Sequence, residues 1–174
     1  MTRTAAASLL LALTLAGLGC GYRQAGRTSQ LPPGLSTIAV PGFINQTQTY
    51  RIEQQLTGAV VREFHTRTRY RIANEDDGSA DAVLNGVVLS TQLAPVTYDS
   101  TTGRASSALV TVRMKVSLVD RQGRVLYQND RYEFREQYQV SREISSFFEE
   151  ESPALDRLSR DFARTLVSNI LEAY

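Results

Sequence analysis

The sequence predicts an α+β fold: a two-layer sandwich with two helices packed on one face of a mixed four- to five-stranded sheet. Three observations predict it. Ile52, Leu56, Ala59, Val60 and Phe64, and later Leu155, Leu158, Phe162, Leu166 and Ile170, recur at helical spacing. Three long stretches between them, starting at Asp81, Ala105 and Val125, read as strands, and the last two alternate apolar and polar. Two one-sided helices can cover only one face of such a sheet, which leaves the other polar and open.

The chain begins with a separate segment. Arg3 gives a short positive region, and Ala5 to Leu18 is apolar, of signal-peptide length and too short to cross a bilayer comfortably. It stops at Gly19-Cys20, and Cys20 is the only cysteine in the chain. Residues 1–19 read as a lipoprotein signal peptide, with acylation of Cys20 after cleavage. An ordinary secretory signal with a leftover thiol is the plainer alternative. Two or more acyl chains give stable attachment where one gives weak anchoring. One cysteine offers no disulfide framework, so the fold must rest on its core. Residues 20–35, rich in Gly, Ser, Thr and Gln around Pro32-Pro33, read as a tether. Residues 36–174 form a single domain.

Within that domain Thr37-Ile38-Ala39-Val40 is a short β-branched strand closed by Pro41-Gly42. Asn45 to Thr49 is a polar turn with several N-cap candidates for a helix over 49–66. That helix presents Arg51, Gln55, Arg62 and His65 opposite its apolar stripe. A second strand follows around 69–72. The next runs from Asp81 to about Val96, where Pro95 should close it or mark an edge. In the strand over 105–119, Ala108, Val110, Val112, Met114, Val116 and Leu118 face the core. Thr111, Arg113, Lys115 and Ser117 face water. After the turn Asp120 to Gly123 the strand over 125–140 turns Tyr132, Phe134, Tyr138 and Val140 one way. Arg131, Glu133, Arg135, Gln137 and Gln139 go the other. Phe147-Phe148 must bury somewhere. Ser152-Pro153 reads as the start of the last helix, with Ser as N-cap and Pro in the first turn. The order is β-α-β-β-β-β-α, with no internal repeat and no second domain.

Charge and chemistry exclude more than they assign. Lys and Arg total 19 against 18 Asp and Glu, which argues against a nucleic-acid binder. A single histidine, His65, in the last turn of a helix is better placed to meet helix carbonyls than to catalyse. One His and one Cys supply too few ligands for a metal site. There is no phosphate-cradling glycine loop, and no pair of carboxylates stands at readable catalytic spacing. The sequence therefore predicts no catalytic residues, no metal and no cofactor. Walking the hairpins puts Arg104 and Arg142 at one end of the sheet, far from Arg121 and Arg124. Two arginines there could grip a lipid phosphate, although on geometry alone ordinary solubilising loop charge is the simpler explanation.

The order of several short motifs is similar to one known family. Cys20-Gly21-Tyr22, Leu31-Pro32 and Thr37-Ile38-Ala39-Val40-Pro41-Gly42-Phe43-Ile44-Asn45-Gln46-Thr47 resemble the opening of the LptE lipopolysaccharide-assembly lipoproteins. Ile52 to Phe64, Thr68-Arg69-Tyr70-Arg71 and Ala80-Asp81-Ala82-Val83-Leu84-Asn85-Gly86 continue the likeness. One departure is Gly17, where the usual lipobox has Leu; here Leu18 lies one residue later. The resemblance implies a non-enzymatic outer-membrane lipoprotein, lipid-anchored on the periplasmic side. It implies a partner, the LptD β-barrel, which the protein plugs and helps assemble, and a role in inserting lipopolysaccharide into the outer leaflet. On that reading Arg113, Lys115, Arg131 and Arg135 face the polar barrel lumen, and Arg104 and Arg142 are the lipopolysaccharide-binding candidates. The alternatives are a pilotin-like or other structural assembly lipoprotein that does not bind lipopolysaccharide and, more remotely, an envelope hydrolase.

Overall fold

The sheet is organised around its longest strand, which carries no charged residue. In the computed structural model, which describes residues 31–32, 34–139 and 144–173 (the side chains of 144–152 excepted), this strand is β4, Ala82–Tyr98. Before it come β1 (Thr37–Ala39), β2 (Ile44–Asn45), α1 (Ile52–Arg67) and β3 (Arg71–Ala73); after it come β5 (Ala105–Asp120), β6 (Val125–Gln139) and α2 (Ile144–Glu172). The sheet order is β3-β1-β4-β5-β6, with β2 also paired to β4. β1, β3 and β4 run parallel, so β1-α1-β3 is a crossover unit; β4, β5 and β6 form an antiparallel meander. This is the expected α+β sandwich, with both helices against a mixed sheet.

The apolar stripes meet as the spacing predicts. Ile52, Leu56, Ala59, Val60 and Phe64 of α1 are buried with Leu155, Leu158, Phe162, Leu166 and Ile170 of α2. They cover Val110, Val112, Met114, Val116 and Leu118 of β5. Phe162 is the hub of the core, its ring edge-to-face with those of Phe43, Tyr132 and Phe134 at centroid separations of 6.4, 6.0 and 5.1 Å. Phe43 in turn lies over Gly86, where a side chain would meet its ring at 2.7 Å. A glycine inside a buried strand here marks a close approach. Arg67 clasps the two helices: it donates to Ser168 Oγ at 2.6 Å and pairs with Glu63 at 3.6 Å.

Four local expectations need correction. The sequence predicts no strand at Ile44–Asn45, where the polar turn over 45–49 begins, yet β2 forms there. Its two residues form a strand only because Val87 and Val88 offer a partner, a pairing invisible in the local sequence. α1 starts at Ile52, and its N-cap Arg51 adopts a left-handed conformation (φ 55°) with no side-chain cap. The polar side chains upstream are used otherwise: Asn45 Oδ1 accepts from Thr47 N–H, and Asn45 Nδ2 donates to Glu53 Oε2 at 2.9 Å in the first turn. Gln55, expected on the solvated side of α1, has a buried Oε1 without a partner among the described residues. α2 begins at Ile144 rather than at Ser152, with Pro153 inside it. Proline removes one bond, to the carbonyl four residues back, and the helix passes through that position. The expected burial of Phe147 and Phe148 lies outside the described side chains, and Val140 lies outside the described residues.

Pro95 marks an edge rather than an end. β4 continues past it to Tyr98, but past Val88 its outer side has no neighbouring strand among the described residues. β6 also departs from simple alternation. A bulge lies between the pairs Met114–Tyr132 and Val116–Asn129. It turns both Tyr127 and Tyr132 inward, where their hydroxyls bond each other and Asn169 Nδ2 donates to Tyr132 Oη at 2.9 Å. Burial first, then the Tyr127 hydroxyl, raises the Tyr132 phenol above its ordinary range.

Candidate functional site

Strand alternation leaves the sheet face away from the helices uncovered by any described element, and the predicted polar residues stand on it. Arg113 lies directly across from Glu133, and Thr111 from Arg135. Arg113 Nε donates to Glu133 Oε2 at 2.6 Å, and Arg135 Nε donates to Glu133 Oε1 at 2.9 Å. One carboxylate therefore holds two guanidiniums, and Arg113 first, then Arg135, lowers the Glu133 pKa. Lys115 and Arg131 are exposed, Arg131 within the β6 bulge and Lys115 facing it on β5, and neither has a carboxylate partner among the described residues.

The two ends of the sheet differ. At one end β4 and β5 join through Asp99 to Arg104. Asp99 Oδ1 accepts from the N–H groups of Thr101 and Thr102 at 2.9 Å, and Gly103 supplies the positive φ (66°) that closes the turn. Arg104 is exposed at this tip, and its side chain makes no ion pair among the described residues. β6 ends at the same end, where Gln139 pairs with Ser107. Arg142 lies outside the described residues, as does Cys20.

At the other end the described chain begins beside the β5–β6 turn. Leu31 is buried, and a cavity of about 250 Å³ lies between Pro32, Leu35, Asp81, Arg121 and Arg124. Asp81 is the hub, and no reading of the sequence singled it out for this. Its Oδ2 accepts from Ser36 N–H and Oγ at 2.8 Å and from Thr37 N–H at 2.9 Å; Arg121 lies 3.3 Å from Oδ1. The Ser36 backbone N–H leads these influences, which hold the carboxyl down to about 2. The available signal was a lone acid opening an otherwise uncharged strand. Arg121 also donates to Ala80 O at 2.7 Å and to Ser79 O. Both arginines here are neutralised, Arg124 by Asp120 at 2.6 Å, so this end is a structural lock.

Among the described residues no group of three or more His, Cys, Asp or Glu side chains is placed to hold a metal ion. Nor is any helix long and apolar enough to cross a membrane. What the geometry offers is a broad, charged, solvent-facing sheet, a surface suited to contact.

The fold and this face define a two-layer α+β domain with one covered and one open sheet face. A family model described as "LptE: Lipopolysaccharide-assembly" matches residues 35–170. The chain belongs to the LptE family. No functionally curated protein matches it. Solved structures share the fold at low identity. An uncharacterized lipoprotein B from Nitrosomonas europaea has a TM-score of 0.54 at 14% identity, covering 87% of this chain and 90% of that one. A protein from Xanthomonas campestris has a TM-score of 0.51 at 15% identity, covering 81% and 89%. A hypothetical protein from Chlamydia trachomatis has a TM-score of 0.51 at 8% identity, covering 79% and 97%.

Proposed function

We propose that this protein is a non-enzymatic lipoprotein of the outer membrane, anchored on the periplasmic side through acyl chains on Cys20. It occupies the LptD β-barrel and assists transport and insertion of lipopolysaccharide into the outer leaflet. The observation that carries this reading is membership of the LptE family across nearly the whole domain. The open face supports it: the interior wall of a large outer-membrane barrel is polar and wet, and Arg113, Lys115, Arg131 and Arg135 suit such a wall. Arg104 and Arg142 are the candidates for gripping phosphate groups of the lipid, as bidentate guanidiniums do.

Mild detergent extraction of the full-length protein from its own membrane tests the reading. A large β-barrel protein should co-purify in fixed ratio, and its absence would refute the plug. Arg104→Glu with Arg142→Glu should weaken lipopolysaccharide binding and leave the melting temperature unchanged; undiminished binding removes these two residues from the role. Cys20→Ser should release the protein from the membrane fraction unless the barrel alone retains it, which extraction of the two together distinguishes.

A further inference from the structure

The open face is unevenly charged. β4 contributes no charge along its 17 residues, so β5 and β6 supply all the charge on that part of the face. Four cations, Arg113, Lys115, Arg131 and Arg135, stand there against two carboxylates, Glu133 and Asp130. Both carboxylates are engaged. Glu133 is shared by Arg113 and Arg135, and Asp130 accepts from Gln128 Nε2 at 2.9 Å. The excess is carried by Lys115 and Arg131, in a chain whose whole formal charge is only +1.

The placement of these cations matters as much as their number. Lys115 and Arg113 are one strand repeat apart, about 6.8 Å; on the neighbouring strand, about 4.8 Å away, Arg131 lies in the bulge opposite Lys115 and Arg135 stands across from Thr111. Arg113 and Arg135 are fixed by their shared carboxylate while their side chains stay 51% and 61% exposed. The result is an open sheet face that carries partly fixed cations. It fits a second surface with the same repeat and opposite sign. Lone exposed pairs contribute ~0.2–1 kcal/mol each, but a complementary array sets register and rejects wrong partners.

We infer that the partner surface seated on this face is an acidic protein wall, with carboxylates opposite Lys115 and Arg131. This rests on the reading that the open face meets the barrel interior, and it adds the sign of that wall.

The test places a photo-crosslinking residue at Thr111, a neutral position on the same face, in the full-length protein in its native membrane. Wild type is compared with Lys115→Glu/Arg131→Glu and with Lys115→Gln/Arg131→Gln. The wild type should capture an outer-membrane protein. Charge reversal should cut that capture by about tenfold or more, since like charges face each other, and the Gln pair should cut it less. If the reversed protein folds poorly, wild-type and Gln-pair capture across a salt series gives the same answer, with wild-type yield falling more steeply as salt rises. Reversal with wild-type yield of the same protein, or yields that ignore salt, overturns the acidic wall and leaves the plug standing. Capture of no protein, or of anionic lipid alone, overturns both.

Discussion

Gly86→Ala places one methyl group where the structure has no room for it. Gly86 is buried opposite Val116, and a Cβ there lies 2.7 Å from Phe43 Cδ1, 2.8 Å from Cγ and 2.9 Å from Cε1. Ordinary carbon contact needs about 3.5–4.0 Å, so the ring must retreat by close to an ångström. It cannot do so freely, because Phe43 is only 4% exposed and meets Phe162 on its other side. Overpacking of this kind costs ~1–3 kcal/mol. Removing a strand glycine returns ~0.5–1 kcal/mol of chain entropy. The difference spans ~0–2.5 kcal/mol; with three ring atoms inside 3.0 Å at once the upper part applies, a net loss of ~1–2 kcal/mol, which lowers the melting temperature of a chain this size by about 2–8 °C. Urea unfolding of wild type, Gly86→Ala, Phe43→Leu and the double variant supplies the check. The smaller side chain makes room for the methyl, so the double variant should be more stable than the sum of the singles by ~1 kcal/mol, within the range for touching residues. A neutral or stabilising Gly86→Ala, or strict additivity, would refute the close packing of Phe43 on β4.

Three further outcomes follow from the same geometry. Phe162→Ala removes a fully buried ring that three other aromatics touch, and should cost ~3–5 kcal/mol in urea unfolding. Tyr132→Phe leaves Asn169 Nδ2 and the Tyr127 hydroxyl without their shared partner, which should cost ~1–3 kcal/mol; a cost below a few tenths would mean that water replaces it. Asp81 is a carboxyl depressed to about 2 by the Ser36 and Thr37 donors and Arg121. A depressed carboxyl stabilises the fold fully above its unfolded value and loses that contribution as pH falls through its folded value. Unfolding midpoints should therefore decline from about pH 4 toward pH 2, and Asp81→Asn should be less stable at neutral pH with a flatter acid limb; parallel curves would count against the lock.

Much of the architecture was legible because it is local. The alternation of Ala108 to Leu118 and the four-residue spacing of Ile52, Leu56, Val60 and Phe64 are properties of neighbouring residues, and the structure buries every one of them. Pairing across the sequence was not legible. Ile44 and Asn45 become a strand only against Val87 and Val88. Tyr127 and Tyr132 share a face only because a bulge adds a residue between them. Arg67, at the C-terminal end of α1, crosses to Ser168 on the other helix, a contact that no local pattern announces. For the candidate site, periodicity was enough to put Arg113, Lys115 and Arg135 on one face. It was silent on Glu133 being gripped twice, because such a clamp depends on strand register.

The outer margin of β4 has a consequence for how this molecule survives alone. Beyond Val88 that margin has no neighbour among the described residues, and Leu93, Val96 and Tyr98 are 53%, 46% and 62% exposed along it. Unpaired apolar margins of this kind invite other chains and seed aggregates. Pro95 interrupts the invitation by lacking an N–H, and irregularities at Pro95/Thr97 and Thr97/Tyr98 break the spacing an incoming ladder requires. A proline expected to close the strand or mark its edge thus protects a sticky margin, and replacing it with valine should lower the concentration at which the free protein precipitates.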